Sequence, residues 1–487
     1  MCIRDRYIVL GLFLLLMAGV AIYSRSRAGN TSDFMLAGRN VGPWMSAFAY
    51  GTSYFSAVIF IGYASDLGRQ FGLSSMWVGI GNAILGCLFA WLVLAGPTRR
   101  ITHALDASTM PQFLAKRFEC PYLQSFSAVI IFLFLIPYSA SVYQGINLLF
   151  TAAFGIDANV CYILIACLTA LYVFFGGYFG AALADFFQGS IMIGGVCLLV
   201  YFVAAKDVSL TGSVSEALSQ AAAYTPGSNG WDLVWLVLLT SLGALGMPHM
   251  IHKFYAIKDE GAIRKATYIS TIFALLIGCG AYFCGAMGRV ILGPEALDPN
   301  VNIMTTMLMD TSIIPEILMA IVLVLLLSAS MSTLSALVLS ASSSFSVDLV
   351  AKHIKTNREK RTHALLRGMC VLFIALSLAV TIFRIPIVDL MSYSWGIIAG
   401  AFLGPYIWGL FYPKTTREGA WAGLLLGAGG SLVMTILALA GVEGFVGHAP
   451  MIGVIGMLIS LVAVPIVSLC TASKGHFGNL KGMKKQQ

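Results

Sequence analysis

Runs of about 20 apolar residues recur from one end of the 487-residue chain to the other, and they constrain its fold more than any other feature. A helix of that length crosses the hydrocarbon core of a bilayer, which is about 30 Å thick. Only 10% of the residues are charged, against about 25% in soluble domains, so no soluble fold could cover this much apolar surface. The sequence therefore predicts an all-α integral membrane protein with about thirteen transmembrane helices, at approximately 7–23, 44–67, 72–96, 122–152, 158–176, 179–204, 231–254, 267–292, 314–349, 368–384, 387–412, 418–441 and 450–471.

Basic residues are divided unevenly among the predicted loops. If the N-terminus is outside, the inner loops and the tail hold 23 of the 29 lysines and arginines, Lys253 among them. Cytoplasmic loops are enriched in these residues, so the pattern predicts a multi-pass protein of the plasma (inner) membrane with an outside N-terminus and a cytoplasmic C-terminus. The net charge of +8 then reflects topology, and the expected surroundings are a lipid bilayer, with no nucleic-acid partner. The outer side keeps Arg4, Arg6, Arg69, Lys206, Arg289 and Arg384.

Two of the predicted spans contain residues that interrupt helices. Residues 49–57 (AYGTSYFSA) place a glycine and several hydroxyls at the centre of the second span, and residues 242–249 (LGALGMPH) place glycines and a proline in the seventh. The two lie five helices apart, as a pair of inverted five-helix repeats requires, and matched interruptions of this kind mark binding sites in transporters. The alternative is that the glycines only allow close packing of helices.

Polar residues inside two other spans could bind a cation. Asp185 lies well within a span, where a charge costs about 2.5–3.5 kcal/mol and usually marks an ion pathway, although an interhelical hydrogen bond is an alternative. Ala329, Ser332 and Thr333 follow each other at i, i+3 and i+4 and so share one helix face. Their oxygens suit an alkali cation, but Ser and Thr in membrane helices also bond the i−4 carbonyl.

Other classes of protein fit the sequence less well. A membrane enzyme needs a nucleophile–base pair or a metal motif, and the sequence contains no HExxH, GxSxG or GxxxxGK[ST]. His249 lies beside a helix break, where a structural hydrogen bond is expected. A membrane-bound sensor derived from a transporter would carry an output domain after the last span, and the sequence given has little chain there. A channel is a further alternative. A current that saturates with solute and requires sodium would exclude it.

Several motifs, in the same order along the chain, resemble those of the sodium:solute symporter family, which includes proline, pantothenate, sugar, iodide and monocarboxylate transporters. They cover two cytoplasmic loops and the fifth, sixth and eighth core helices. The order of the motifs identifies the chain as a member of this family. The matching segments are 33–39 (DFMLAGR), 109–113 (TMPQF), 117–119 (RFE), 176–178 (GGY) with Asp185 and Gln188, 246–249 (GMPH) and 330–335 (SMSTLS).

The resemblance implies a LeuT-like fold with an inverted 5+5 helix repeat: an extra helix at 7–23, repeats at 44–204 and 231–412, two further helices at 418–471 and a cytoplasmic tail at 472–487. It also implies a sodium site, with Na⁺ as the coupling ion and neither another metal nor an organic cofactor. Some members hold a second sodium through residues equivalent to Asp185 and Ser335 followed by a serine, and Ala336 replaces that serine here. This departure predicts a single sodium per cycle. The ligands of the main site would be the backbone carbonyls of Thr52, Phe55 and Ala329 and the hydroxyls of Ser332 and Thr333.

The solute is expected to be a small carboxylate-bearing molecule. Sugar carriers place amide and carboxylate side chains in the first core helix, where this chain has Tyr54, Val58 and Ile59. Some segments look like the pantothenate and monocarboxylate branch and others like the proline branch. A single sodium carrying a zwitterion also captures the membrane potential, so an amino acid such as proline ranks ahead of a monocarboxylate or pantothenate. The candidate cavity residues are Tyr54, Ser56, Gln144, Thr240, Ala244 and Trp395.

Overall fold

A computed structural model describes residues 3–27, 29–225, 228–311, 313–354, 357–383 and 385–472. The described chain is built from helices and short connections. Arg384 and nearly all of the predicted tail at 472–487 lie outside the described residues. In chain order the helices are α1 (Ile3–Ser24), α2 (Thr31–Leu36), α3 (Pro43–Tyr54), α4 (Ala64–Phe71), α5 (Met76–Gly81), α6 (Gly96–Ala104), α7 (Met110–Arg117), α8 (Pro121–Phe154), α9 (Ala158–Thr211), α10 (Val214–Ala221), α11 (Gly230–Gly243), α12 (Pro248–Ala256), α13 (Glu260–Leu292), α14 (Ile303–Met309), α15 (Glu316–Ser343), α16 (Arg358–Val380), α17 (Ile387–Phe411), α18 (Arg417–Leu439) and α19 (Ala449–Thr471).

Within the described residues, ten helices are long and apolar enough to cross a membrane, or eleven if the bent pair α11–α12 forms one span. The predicted number of thirteen differs because two continuous helical stretches each cover two predicted spans, in whole or in part. Val58–Ala104 has 47 residues and α9 has 54, which would be about 70 and 80 Å long as straight helices, more than twice the bilayer core. Each stretch contains a glycine with positive φ, Gly72 (52°) and Gly177 (53°), at which the chain can turn. The count of thirteen remains a prediction.

Helix α15 occupies the centre of the bundle. Its residues are buried almost throughout, including the serines of its second half and Thr333. It contacts α1, α3, α8, α9, α12 and α16. The two last helices, α18 and α19, pack against each other and against α17 at the periphery. Residues on α15 can therefore meet side chains from several other helices.

Both interruptions predicted from glycine and proline are present. Helix α3 ends at Tyr54, and Phe55 is extended (φ −107°, ψ 99°) before a helical segment resumes at Val58. Met247 is extended as well (φ −81°, ψ 119°), and Pro248 then begins α12, as proline favours the first position of a helix. The axes of the two halves of this span meet at 44°. The division into repeats at 44–204 and 231–412 stays a prediction.

Glycines bring two further helices into backbone contact. An added Cβ at Gly68 of α4 would overlap the backbone of Gly285 in α13, and one at Gly285 would overlap the carbonyl oxygen of Ala64. Small residues at such crossings let helix backbones approach, which is a main source of helix association in membranes. The half of the first broken span that follows the break is thereby fixed against α13.

We predict that Gly285→Ala destabilises the protein by about 1–3 kcal/mol, the usual cost of overpacking a tight contact. The measurement is thermal unfolding of the purified protein in detergent. The matched control is Gly194→Ala in α9, where an added Cβ meets no atom within 4 Å. This control should lose no stability, because alanine favours a helix by up to about 1 kcal/mol over glycine. Equal melting temperatures for the two variants would contradict the assigned contact.

Candidate functional site

The break in α3 lies directly against α15. The hydroxyl of Thr333 lies 3.0 Å from its own helix's Ala329 carbonyl and 3.3 Å from the Thr52 carbonyl of α3. The Ser332 hydroxyl, one position earlier, donates to the Thr52 hydroxyl at 2.6 Å. These residues are completely buried. Four of the five residues predicted to bind sodium are thus brought into one contact.

The fifth residue, Phe55, contributes a carbonyl at the break itself. In a continuous helix this carbonyl would accept from the Ile59 amide. That amide donates instead to the Ser56 carbonyl at 3.0 Å. The Phe55 carbonyl is therefore released from the helical pattern, and Phe55 is also completely buried. The interruption supplies a backbone oxygen where a helix would have hidden it.

Oxygens outnumber protons in this cluster. The Thr333 hydroxyl has one proton and lies within 3.5 Å of three carbonyl oxygens, those of Ala329, Thr52 and Ser53. The Thr52 hydroxyl donates to the Phe48 carbonyl at 2.8 Å, so its proton is also engaged. The bond from Thr333 to the Ala329 carbonyl is the i−4 bond expected if the hydroxyl serves only the structure of its helix. The same hydroxyl also faces two carbonyls of α3, and that second contact joins the two helices.

The predicted second sodium site contains the lysine Lys253, which the sequence analysis assigned to an inner loop. Asp185 of α9 lies beside Ser332, and the ammonium nitrogen of Lys253 lies 3.9 Å from its carboxylate. The two side chains are 1% and 2% exposed, so Lys253 belongs to the buried helix α12 and its assignment to an inner loop was wrong. The error arose because hydropathy places span ends only to within a few residues. Ser335 points within its own helix, where its hydroxyl donates to the Ser332 carbonyl at 2.8 Å.

Three of the predicted solute residues form one cluster. The Tyr54 hydroxyl donates to the Thr240 carbonyl at 2.7 Å, and the Tyr54 ring stacks on Trp395 with centroids 6.1 Å apart. The Thr240 hydroxyl in turn donates to the Asn82 amide oxygen at 2.8 Å. The second, third and seventh predicted spans and α17 therefore meet here. Asn82 was not anticipated, although an amide inside an apolar run was visible in the sequence.

The other three predicted solute residues are placed differently. Ser56 accepts from the Val58 amide at 3.2 Å, within the break of α3. Gln144 of α8 donates to the Phe383 carbonyl at 3.4 Å, away from the aromatic cluster. Ala244 is completely buried just before the second break. None of the six predicted residues is more than 9% exposed, so all six lie in the packed interior of the described structure.

An open cavity lies further toward the predicted outer end. It has a volume of about 280 Å³, and its lining includes Tyr63 and three carboxylates, Asp66, Asp232 and Asp389. The Tyr63 hydroxyl lies 3.0 Å from the Ser392 hydroxyl, one helical turn before Trp395. We call this cavity the vestibule. These carboxylates lie near the ends of predicted spans. Their position was the only sign of the cavity in the sequence, and the sequence analysis did not identify them.

At the opposite, predicted inner end, hydrogen bonds join the two broken spans. Val41, just before α3, donates its amide to the Ala256 carbonyl at 3.1 Å and accepts from the Lys258 amide at 3.1 Å. Beside it, the side chains of Arg100 and Glu260 form an ion pair of 2.9 Å. These contacts tie the start of one broken span to the end of the other. The molecule therefore has a vestibule at one end and a seal at the other.

Comparisons with known proteins extend over nearly the whole chain. The osmoregulated proline transporter OpuE of Bacillus subtilis (strain 168) is 29% identical, with 99% of both chains aligned. The sodium/proline symporter of Staphylococcus aureus is 28% identical, with 97% of this chain and 94% of the relative aligned. The similarity is thus to complete membrane transporters, and the expectation that the chain is no enzyme is confirmed by its relatives.

Solved structures show the same fold. The sodium-coupled sialic acid symporter, solved in a substrate-bound outward-open state, superimposes with a TM-score of 0.77 at 18% identity over 96% of this chain and 97% of its own. The nucleobase-cation-symport-1 transporter Mhp1 matches with a TM-score of 0.52 at 14% identity over 92% and 96%. These likenesses confirm the LeuT-like fold. The sequence profile of the sodium:solute symporter family matches residues 34–427, and the chain belongs to that family.

Proposed function

We propose that this symporter couples the entry of one sodium ion to the uptake of a small zwitterionic amino acid, with L-proline as the first candidate. The observation that carries the proposal is the end-to-end similarity to relatives that transport proline, at 28–29% identity. The aromatic cluster of Tyr54 and Trp395 beside the polar Thr240 offers both apolar and hydrogen-bonding contacts, as a site for such a solute requires. The cluster lies immediately inward of the vestibule.

The sodium ion would bind between α3 and α15. Its proposed ligands are the carbonyls of Thr52, Phe55 and Ala329 and the hydroxyls of Ser332 and Thr333. Neutral carbonyl and hydroxyl oxygens at an unwound helix are typical ligands of transported sodium. The excess of oxygens over protons in this cluster supports the assignment, because a cation would complete it without requiring a further donor.

A sodium ion at this site would connect α3 with α15, and alternating access follows from that connection. A ligand shifts a conformational equilibrium only if it binds one state more tightly than the other. A sodium ion held by both α3 and α15 would favour the state in which the two helices touch. Here that state has the vestibule at one end and the Val41 seal at the other. Release of the solute on the far side requires the Val41 contacts to Ala256 and Lys258 to break.

We also propose that the vestibule faces outward, with the N-terminus outside and the C-terminus in the cytoplasm of a cell whose plasma membrane holds the protein. Moving Lys253 out of the loops leaves 22 basic residues on the proposed inner side against six outside, so the bias remains. The three vestibule carboxylates, Asp66, Asp232 and Asp389, would then raise the local concentration of sodium at the entrance.

We predict sodium-driven accumulation of L-proline in proteoliposomes and none when potassium replaces sodium. A tenfold sodium gradient stores about 1.4 kcal/mol per ion. A potential of 100 mV adds about 2.3 kcal/mol per charge moved. One sodium with a zwitterion can therefore sustain several-hundred-fold accumulation, whereas one sodium with a monoanion manages only about tenfold. The measurement is radiolabelled uptake from a panel of L-proline, other amino acids, pantothenate and short monocarboxylates.

Sodium-dependent uptake of pantothenate or a monocarboxylate, with no uptake of L-proline, would contradict the proposed solute. It would leave the sodium coupling intact, because the panel varies only the solute. A solute flux that continues without sodium would contradict the coupling itself.

The sodium ligands are tested by combining Ser332→Ala with Thr333→Ala. Removing two hydroxyl ligands should raise the sodium concentration for half-maximal uptake tenfold or more, equivalent to about 1.4 kcal/mol. The matched control combines Ser328→Ala and Ser330→Ala on the same helix. Their hydroxyls are buried but make no hydrogen bond within the described residues. An unchanged sodium dependence in a well-folded Ser332/Thr333 variant would remove the site from α15.

Tyr54→Phe should lower the free energy of unfolding by about 1–3 kcal/mol, the cost of leaving a buried carbonyl without a donor. The carbonyl is that of Thr240, whose helical partner, the Ala244 amide, donates to Leu242 instead. The control is Tyr143→Phe, since the Tyr143 hydroxyl is equally buried and has no hydrogen-bond partner within the described residues. Thermal unfolding that ranks the two variants equally would show that the Tyr54 bond does not stabilise the cluster.

A further inference from the structure

A buried ion pair lies beside the proposed sodium site, and the proposed transport cycle gives it no role. Asp185 of α9 and Lys253 of α12 are separated by 68 positions in the sequence and have their charged groups 3.9 Å apart. Both side chains are almost inaccessible. An isolated charge in such a place is strongly unfavourable, so each of the two charges requires the other.

The distance shows that the pair is held by charge and not by a direct hydrogen bond. Charge-assisted bonds between an ammonium and a carboxylate are about 2.7–2.9 Å long, well below the 3.9 Å found here. Apart from the neighbouring Ser332 hydroxyl, no described side chain offers a hydrogen bond to either oxygen of Asp185. The ammonium also lies 5.2 Å from the centre of the Tyr178 ring, a distance at which the ring helps to stabilise a cation. The environment of Lys253 is therefore that of a fixed cation.

One hydroxyl connects this pair with the proposed sodium site. Ser332 lies beside the Asp185 carboxylate and donates to the Thr52 hydroxyl at 2.6 Å. A cation coordinated by Ser332 would thus lie close to Asp185. Any further cation at Asp185 would have to share the carboxylate with Lys253, and two like charges at this distance repel each other strongly in a protein interior.

One ligand of the predicted second site is missing. Ala336 has no side-chain oxygen. The Ser335 hydroxyl donates to the Ser332 carbonyl at 2.8 Å, which orients it along its own helix. The carboxylate consequently has a positive neighbour in Lys253, and one of the oxygens expected for a second sodium is absent.

We propose that the ammonium of Lys253 takes the place of a second coupling sodium, as a cation built into the chain. Asp185 is neutralised by Lys253 throughout the cycle, and the protein carries one sodium per solute. Lys253 is then a positioning residue that fixes ion stoichiometry without touching the transported ions. The inference rests on the proposed sodium site between α3 and α15, but it does not depend on which solute is carried.

The test counts bound sodium directly, with ²²Na⁺ and purified protein, so it requires no solute. The wild type should bind one ion. Lys253→Gln leaves Asp185 without its cation, and this variant should bind two ions and show a steeper dependence on sodium. The double variant Asp185→Asn/Lys253→Gln should return to one. The control is Lys258→Gln, which removes the lysine of an exposed pair with Asp259 and should not alter the count.

A wild type that binds two ions, or a folded Lys253→Gln variant that binds one with unchanged affinity, would overturn the proposal. If Lys253→Gln cannot be purified, the double variant decides, because it removes both charges together. An equal count of one in the wild type and the double variant supports the proposal, and a fall from two to one overturns it. Failure of L-proline uptake would count against the proposed solute alone, and absence of sodium binding in the wild type would count against the sodium site.

Discussion

A backbone carbonyl without a partner costs several kcal/mol inside a bilayer, and the rest of this structure depends on how that cost is met at the break in α3. The extended residue Phe55 releases carbonyls from the helical pattern inside a predicted span. The structure places the buried helix α15 against them, with the hydroxyls of Ser332 and Thr333 at the contact. The same arrangement that makes the break tolerable leaves more oxygens than protons. A structural necessity of the fold thereby becomes a site suited to a small cation.

A buried charge, like a buried carbonyl, is costly without a partner. A carboxylate as deeply buried as Asp185 requires a counterion, and Lys253 meets that requirement from the helix that follows the second break. Lys253 lies three residues before Ala256, whose carbonyl accepts from the Val41 amide at the predicted inner end. One short helix, α12, therefore carries both the partner of Asp185 and a contact that joins the two broken spans.

The vestibule and the packed centre would form two parts of the proposed solute pathway. Carboxylates line the outer part, whereas Tyr54, Thr240 and Trp395 close the inner part through a hydrogen bond and stacked rings. Hydropathy cannot separate these layers, since both lie within apolar spans. The predicted solute residues consequently fell in the packed layer, one or two turns inward of the space that is open.

The sequence by itself determined the membrane fold, the family, the two helix breaks and the shared face of Ala329, Ser332 and Thr333. Each of these follows from local rules: apolar length, the effects of glycine and proline, and a periodicity of 3.6 residues per turn. The tertiary structure alone decided that Lys253 faces Asp185, that Asn82 receives the Thr240 hydroxyl, and that the vestibule lies beyond Trp395. These contacts join residues 68 to more than 150 positions apart, and no local pattern specifies which helices become neighbours. The partner of a buried charge is set by packing, and the sequence could show only that Asp185 would need one.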